Sequence, residues 1–276
     1  MELLILENNF FEELMMKISK AVLSLFLLAA TCLLQNIMAK DHWEKKNAAS
    51  QKFQGKKIIV RQVAPKKNST IQGTLPSKFK VQAAAEKFYA TLEKLPPNFI
   101  KRSGMKYVTF LERPTLKNLP VGGVASGDTI ILNVKFSEKT VYHELFHVFD
   151  RQSGIKNWNK LNDKHFIYTG SRYYEARLSK SKQKKMKSNL ENKKYQVDFV
   201  SDYAMSNEFE DRAETFAFMV CEGRDFIKRT EKSLVLKKKM EFIIDLTNKR
   251  KLLGRSYWNE RLNRDSGTYT KSESRK

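Results

Sequence analysis

Apolar positions along this chain recur with two different periods, and the changes between them mark its elements. Across residues 81–95, Ala83, Ala84, Ala85, Phe88, Tyr89 and Leu92 make a helical stripe that Pro96 and Pro97 stop. Residues 107–111 and 129–134 are short runs rich in β-branched and aromatic side chains, the pattern of strands. Residues 139–152 return to an apolar, helix-compatible run with no Pro or Gly inside it. Helical spacing resumes near Ser206 or Asn207, either of which suits an N-cap. Residues 225–251 read as amphipathic helix, with Phe226, Ile227, Leu234, Leu236, Met240, Phe242, Ile243, Ile244 and Leu246 in the core; Trp258 and Leu262 dock its end. The order predicts an α+β domain over residues 76–265, mostly helical with a small mixed sheet.

The ends follow different rules. Residues 40–75 are polar and basic with little apolar periodicity, which predicts a linker, and residues 266–276 form a Ser/Lys-rich disordered tail. Residues 21–38 are an apolar run preceded by Lys17 and Lys20, so residues 1–39 read as a secretory signal peptide cleaved after Ala39. That implies a secreted or periplasmic protein; an uncleaved anchor through residues 21–38 is the alternative. Glu2, Glu7, Glu12 and Glu13, with no Lys or Arg before Met15, place the natural start at Met15 or Met16. Cleavage removes Cys32 and leaves Cys221 alone, so no internal disulfide is expected. The chain carries 52 basic and 30 acidic residues, a net charge of +22. Charge of this size supports non-specific association with anionic surfaces, but aromatic and basic residues are not interleaved as a single-strand platform requires, so no specific nucleic acid is expected. The lysine-rich stretch 177–194 reads as an exposed helix or insertion, or as a basic flank to the cleft. The protein is expected to be a monomer.

Chemistry concentrates in residues 140–150, where His143-Glu144-Leu145-Phe146-His147 forms an H-E-x-x-H pattern inside the helical run. Positions i and i+4 share one helical face, so both imidazoles reach one ion while Glu144 lies beside it as general base. A catalytic zinc usually takes three protein ligands and leaves one position open. The extension that supplies a third histidine six residues further on is absent, since position 153 is Ser. Glu210 is the expected third ligand: it shares a helical face with Ala213, Glu214 and Ala217, whose small side chains allow close approach. Glu214 suits a carboxylate that fixes the tautomer of a ligating histidine. Glu208 and Glu175 are weaker alternatives. The strand at 129–134 leads into this helix; similarity to zinc peptidases built around such a helix implies that it forms the cleft edge of the sheet, where its free backbone groups pair with an extended peptide. Residues 121–127, rich in glycine, are expected as a rim loop or an ordinary turn.

At residues 143–150 and 203–214 the chain resembles the lethal factor-type metallopeptidases, a gluzincin-like group that includes the anthrax lethal factor catalytic domain and the Pro-Pro endopeptidases. The first block is His143 to Asp150; the second runs Tyr203, Asn207, Glu210, Ala213, Glu214. The resemblance implies a zincin-like fold, one zinc per chain at His143, His147 and Glu210, Glu144 as catalytic base, and Tyr203 hydrogen-bonding the oxyanion. It also implies supporting roles for Glu214 and Asp150, and a protein or peptide substrate. Phe146 departs from a position where relatives often carry Gly. Two other classes stand beside this exported zinc endopeptidase: a secreted zincin-fold binding protein without turnover, and a basic polyanion-binding protein with an accidental H-E-x-x-H.

Overall fold

The structure is a computed structural model that describes residues 51–53, 56–62, 64–65, 69–170 and 191–265. The readings of residues 1–39, of the tail, of Glu175 and of most of the lysine-rich stretch lie outside the described residues. What is described belongs to one compact unit beginning at Gln51.

Its sheet has seven strands: β1 (Gln51–Phe53), β2 (Lys56–Arg61), β3 (Ile71–Thr74), β4 (Tyr107–Leu116), β5 (Leu119–Pro120), β6 (Gly123–Ser126) and β7 (Thr129–Asn133). They are ordered β1-β2-β4-β7-β6, with β3 and β5 pairing the distal half of β4. β4 runs parallel to β2 and β7, whereas β6 is antiparallel to β7 and ends that side of the sheet. The sheet is therefore mixed, and the fold is α+β. The main helices are α1 (Lys78–Leu92), α2 (Pro97–Arg102), α3 (Glu138–Ser153), α4 (Glu208–Glu222), α5 (Arg224–Glu231), α6 (Leu234–Lys249) and α7 (Arg255–Leu262).

Aromatic side chains join the layers. Phe88 of α1 meets Phe110 of β4 and Phe136 edge-on, at 6.1 and 6.5 Å between ring centroids. Phe216 of α4 stacks on Phe146 of α3 at 4.8 Å and on Phe99 of α2 at 5.2 Å, and Trp258 of α7 closes the cluster at 6.0 Å. Phe146 is fully buried, so the bulky residue at that position serves the packing between α3 and α4.

Several elements differ from the sequence pattern. Strands β1, β2 and β3 fall within residues 40–75, read as linker; they are short and weakly apolar, and only pairing with one another and with β4 makes them strands. The first strand continues past Leu111 to Leu116 and turns at Lys117 and Asn118, both at positive φ, as a two-residue hairpin into β5. Residues 121–127 are not simply a rim loop, because 123–126 form β6. The sheet edge is consequently β6, and β7 is an interior strand. The helix read over 225–251 is two helices: Ser233 caps α6 by accepting from the Leu236 N–H and donates to Asp198, which ends α5 one turn earlier. Leu234, expected in the core, sits in the first turn of α6 at 67% exposure.

Candidate metal centre and cleft

Helix α3 starts at Ser137, whose hydroxyl accepts the Thr140 N–H at 3.1 Å, and stops at Gly154 in the left-handed conformation that glycine adopts without strain. Between these caps, one helical turn separates His143 from His147. Helix α4 begins at Asn207, whose side chain accepts the N–H groups of Phe209 and Glu210 at 2.9 and 3.0 Å. That cap fixes the first turn and with it the direction in which Glu210 leaves the backbone. Ala213 and Ala217 are fully buried against the neighbouring layer, so α3 and α4 lie close enough for their polar residues to meet.

His143 Nε2, His147 Nε2 and Glu210 Oε2 converge, each 3.0 Å from the other two. They form a cluster able to hold a metal ion. His143 Nδ1 lies 2.8 Å from Glu214 Oε1, and Ser201 Oγ donates to Glu214 Oε2 at 2.7 Å. With Nδ1–H given to Glu214, the Nε2 of His143 presents a lone pair to a second lone pair and a carboxylate oxygen. Such a group repels itself unless a proton or cation sits among it. A tetrahedral zinc with bonds of about 2.0–2.1 Å needs donors spaced about 3.3–3.4 Å apart, close to the spacing found. Donor chemistry, spacing and the oriented histidine therefore fit zinc. Burial opposes the charged form of His143, yet hydrogen bonds to Glu210 and Glu214 prevail and hold its pKa up to about 10. Burial likewise opposes the Glu210 carboxylate, and the two histidines overcome it and depress its pKa. Both shifts express the same demand for positive charge at this point.

Glu144 is buried beside the cluster, and desolvation raises its pKa although His143 and His147 favour its ionised form. Its carboxylate accepts the backbone N–H of Ala125 on β6. Gly123, two residues earlier, lies so close that a Cβ there would meet Glu144 Cγ at 2.8 Å. Tyr203 lines the same cleft, 41% exposed, its ring tilted over His143 at 5.9 Å between centroids. The cleft is open and about 1180 Å³, with β6 along one wall and α3 and Phe209 on others.

The remaining expected residues are placed differently. Asp150 lies behind the cluster, where Arg212 Nε donates to it at 2.8 Å, with both side chains almost fully buried. Glu208 is half exposed and 3.5 Å from Arg212, away from the converging donors. Sequence reasoning missed Ser201, Arg212, Gly123 and a buried network on Asp211. That carboxylate accepts from Trp158 Nε1 and Tyr168 Oη at 2.8 Å each and pairs with Lys239 Nζ at 2.9 Å, tying α4 to α6 and to the loop at 158–168. Asp211 and Arg212 directly follow the ligand-bearing Glu210 and precede the small and apolar residues of the helix, and this was the available signal.

Residues 124–264 match the model of a family described as "putative zinc-binding metallo-peptidase". A crystal structure of a protein given that same description, from Bacteroides caccae ATCC 43185, is similar at 13% identity and a TM-score of 0.47, covering 81% of this chain and 91% of that one. No curated protein matches the chain.

Proposed function

The chain belongs to the family of zinc-binding metallo-peptidases just described, and on that premise we propose that it is a zinc-dependent endopeptidase acting on protein or peptide chains. The observation that carries the reading is the convergence of His143, His147 and Glu210 within 3.0 Å beside a buried Glu144 and an open cleft. The resemblance to the lethal factor-type enzymes adds Tyr203 to the machinery.

Zinc held by these three residues supplies a Lewis acid that lowers the pKa of water and polarises a peptide carbonyl. Glu144 takes the proton of the attacking water and delivers it to the leaving amine; a pKa raised by desolvation suits a group that must act first as base and then as acid. Tyr203 donates its hydroxyl to the oxyanion that develops on the carbonyl. Glu214, itself held by Ser201, keeps the His143 Nε2 lone pair directed at the ligand position. Residues 1–39 direct export, residues 40–50 join that segment to the catalytic unit, and the protein works as a monomer whose positive charge holds it loosely near anionic surfaces.

The test is digestion of a mixed peptide library by the zinc-loaded protein, read by mass spectrometry. The expected result is a defined set of internal cleavages that vanish on chelation and return with one equivalent of zinc. Cleavage that survives chelation would exclude the zinc mechanism, and no cleavage with zinc bound would leave a zinc-binding protein without turnover.

A further inference from the structure

Strand β6 is the free edge along the cleft, and its outward-facing backbone groups are not equally available. The Gly122 carbonyl accepts from the Asn133 N–H at 2.8 Å. In an antiparallel ladder residues alternate, so 122, 124 and 126 turn toward β7 while 123 and 125 face the cleft. At Ala125 both outward groups are already engaged. Its N–H goes to Glu144, and its carbonyl accepts from Arg151 Nη2 at 2.8 Å. A chain laid along β6 therefore meets, at Gly123, a backbone pair that no described residue bonds, and a guanidinium at Ala125.

Arg151 stands on α3 four residues beyond His147, so the two side chains share a face. It is exposed, lines the cleft, and has no carboxylate partner among the described residues. One hydrogen bond to Ala125 anchors the guanidinium, and among the described residues nothing else takes the remaining donors of its planar fork, which suit a ligand. Lys139, the other basic residue lining the cleft, is committed elsewhere: its Nζ lies 3.8 Å from the centroid of the Phe218 ring. The segment preceding β6 is apolar, with Leu119 and Val121 joined by Leu116 and, across the cleft, the half-exposed Phe209. The cleft thus has an apolar end and a basic end.

We infer that Arg151 is a carboxylate-binding subsite and that the substrate carries a carboxylate beside the bond cut. This rests on the peptidase reading above. Four helical residues advance about 6 Å along the axis. An extended chain covers that distance in about two residues, which places the carboxylate about two positions from the scissile bond. It belongs to an Asp or Glu side chain or to the terminus of the chain itself.

The experiment uses the zinc-loaded protein with peptide pairs carrying Glu or Gln two positions to either side of the cleaved bond, each as free acid and as C-terminal amide. The Glu-to-Gln ratio of kcat/KM is expected to be about 10–100, as a charge-assisted hydrogen bond gives. It falls to about 1 in Arg151→Gln and is partly kept in Arg151→Lys. A preference that follows the free acid and not the side chain assigns the subsite to the chain terminus. The same pairs are titrated against zinc-loaded Glu144→Gln by fluorescence anisotropy, in the presence and absence of Arg151→Gln. Arg151-dependent binding without cleavage in the parent sinks the peptidase reading and keeps the subsite. A ratio that Arg151→Gln leaves unchanged, or no binding of any of these peptides, overturns the subsite.

Discussion

Glu214 lies 2.8 Å from His143 Nδ1, and on the zinc reading this contact sets which nitrogen of His143 carries the proton and which faces the metal. Replacing Glu214 with Ala frees the imidazole to turn or change tautomer, so zinc affinity should fall about 10–100-fold, the usual cost of losing such a partner. Competition with a chromophoric chelator measures it, and an unchanged affinity would show that His143 is oriented by packing alone. Cys221 makes a different residue-scale case. Burial pushes its thiol up to about 12 from 9.0, so the folded protein keeps it protonated across that window while an unfolded chain ionises it. The associated stability is present below pH 9 and lost as pH rises toward 12. Labelling of the Cys221 peptide by a disulfide reagent at pH 8 should accordingly be slow in native protein and fast in urea; equal rates would refute the burial argument. His143, Glu144 and His147 were legible because one helix carries all three at fixed spacing. Glu210 was legible because a capping residue and a small-residue stripe mark its helix. Ser201 and Gly123 reach the site only through tertiary packing, and no spacing announces them.

At the scale of elements, the centre is a junction between α3 and α4, and a buried ion pair sits beneath it. Asp150 lies three residues after His147 and Arg212 two residues after Glu210, so their bond fixes the separation of the two ligand-bearing helices. Asp150→Ala leaves a guanidinium buried without its partner and should cost about 3–5 kcal/mol in urea unfolding, whereas Asp150→Leu with Arg212→Met should recover most of that loss. A single substitution within about 1 kcal/mol of the parent would mean that the pair is dispensable. Asp150 stands out in the sequence by its position after the second histidine, but its partner does not, because an arginine in a helix start crowded with charges gives no hint of which distant carboxylate it meets. The same limit applies to the sheet. The period of 129–134 identifies a strand, yet whether it is interior or edge depends on β6, four residues that a glycine-rich composition disguises. Ser233 could have been read as the cap that divides the last long helical run; the continuous apolar stripe on both sides hid it.

For the whole molecule, the proposed zinc site links metal to folding. The three donors come from helices far apart in sequence, so the site exists only in the folded chain and its occupation stabilises that chain. Zinc at roughly a thousand times its dissociation constant should add about 4 kcal/mol, a rise in Tm of roughly 10 °C by differential scanning calorimetry. A Tm indifferent to chelation would place the metal elsewhere or nowhere. The α+β class was legible from alternating periods, whereas the sheet order was not, because β4 draws its partners from residues 56–133 and pairing energy leaves no local pattern. The central claim joins metal to catalysis through Glu144, and one comparison tests it most directly. Wild type and Glu144→Gln are each loaded to one zinc per chain and given the same cleaved peptide. The account requires equal metal content with kcat/KM reduced about 10²–10⁴-fold in the variant. Hydrolysis at the parent rate with zinc bound would contradict it.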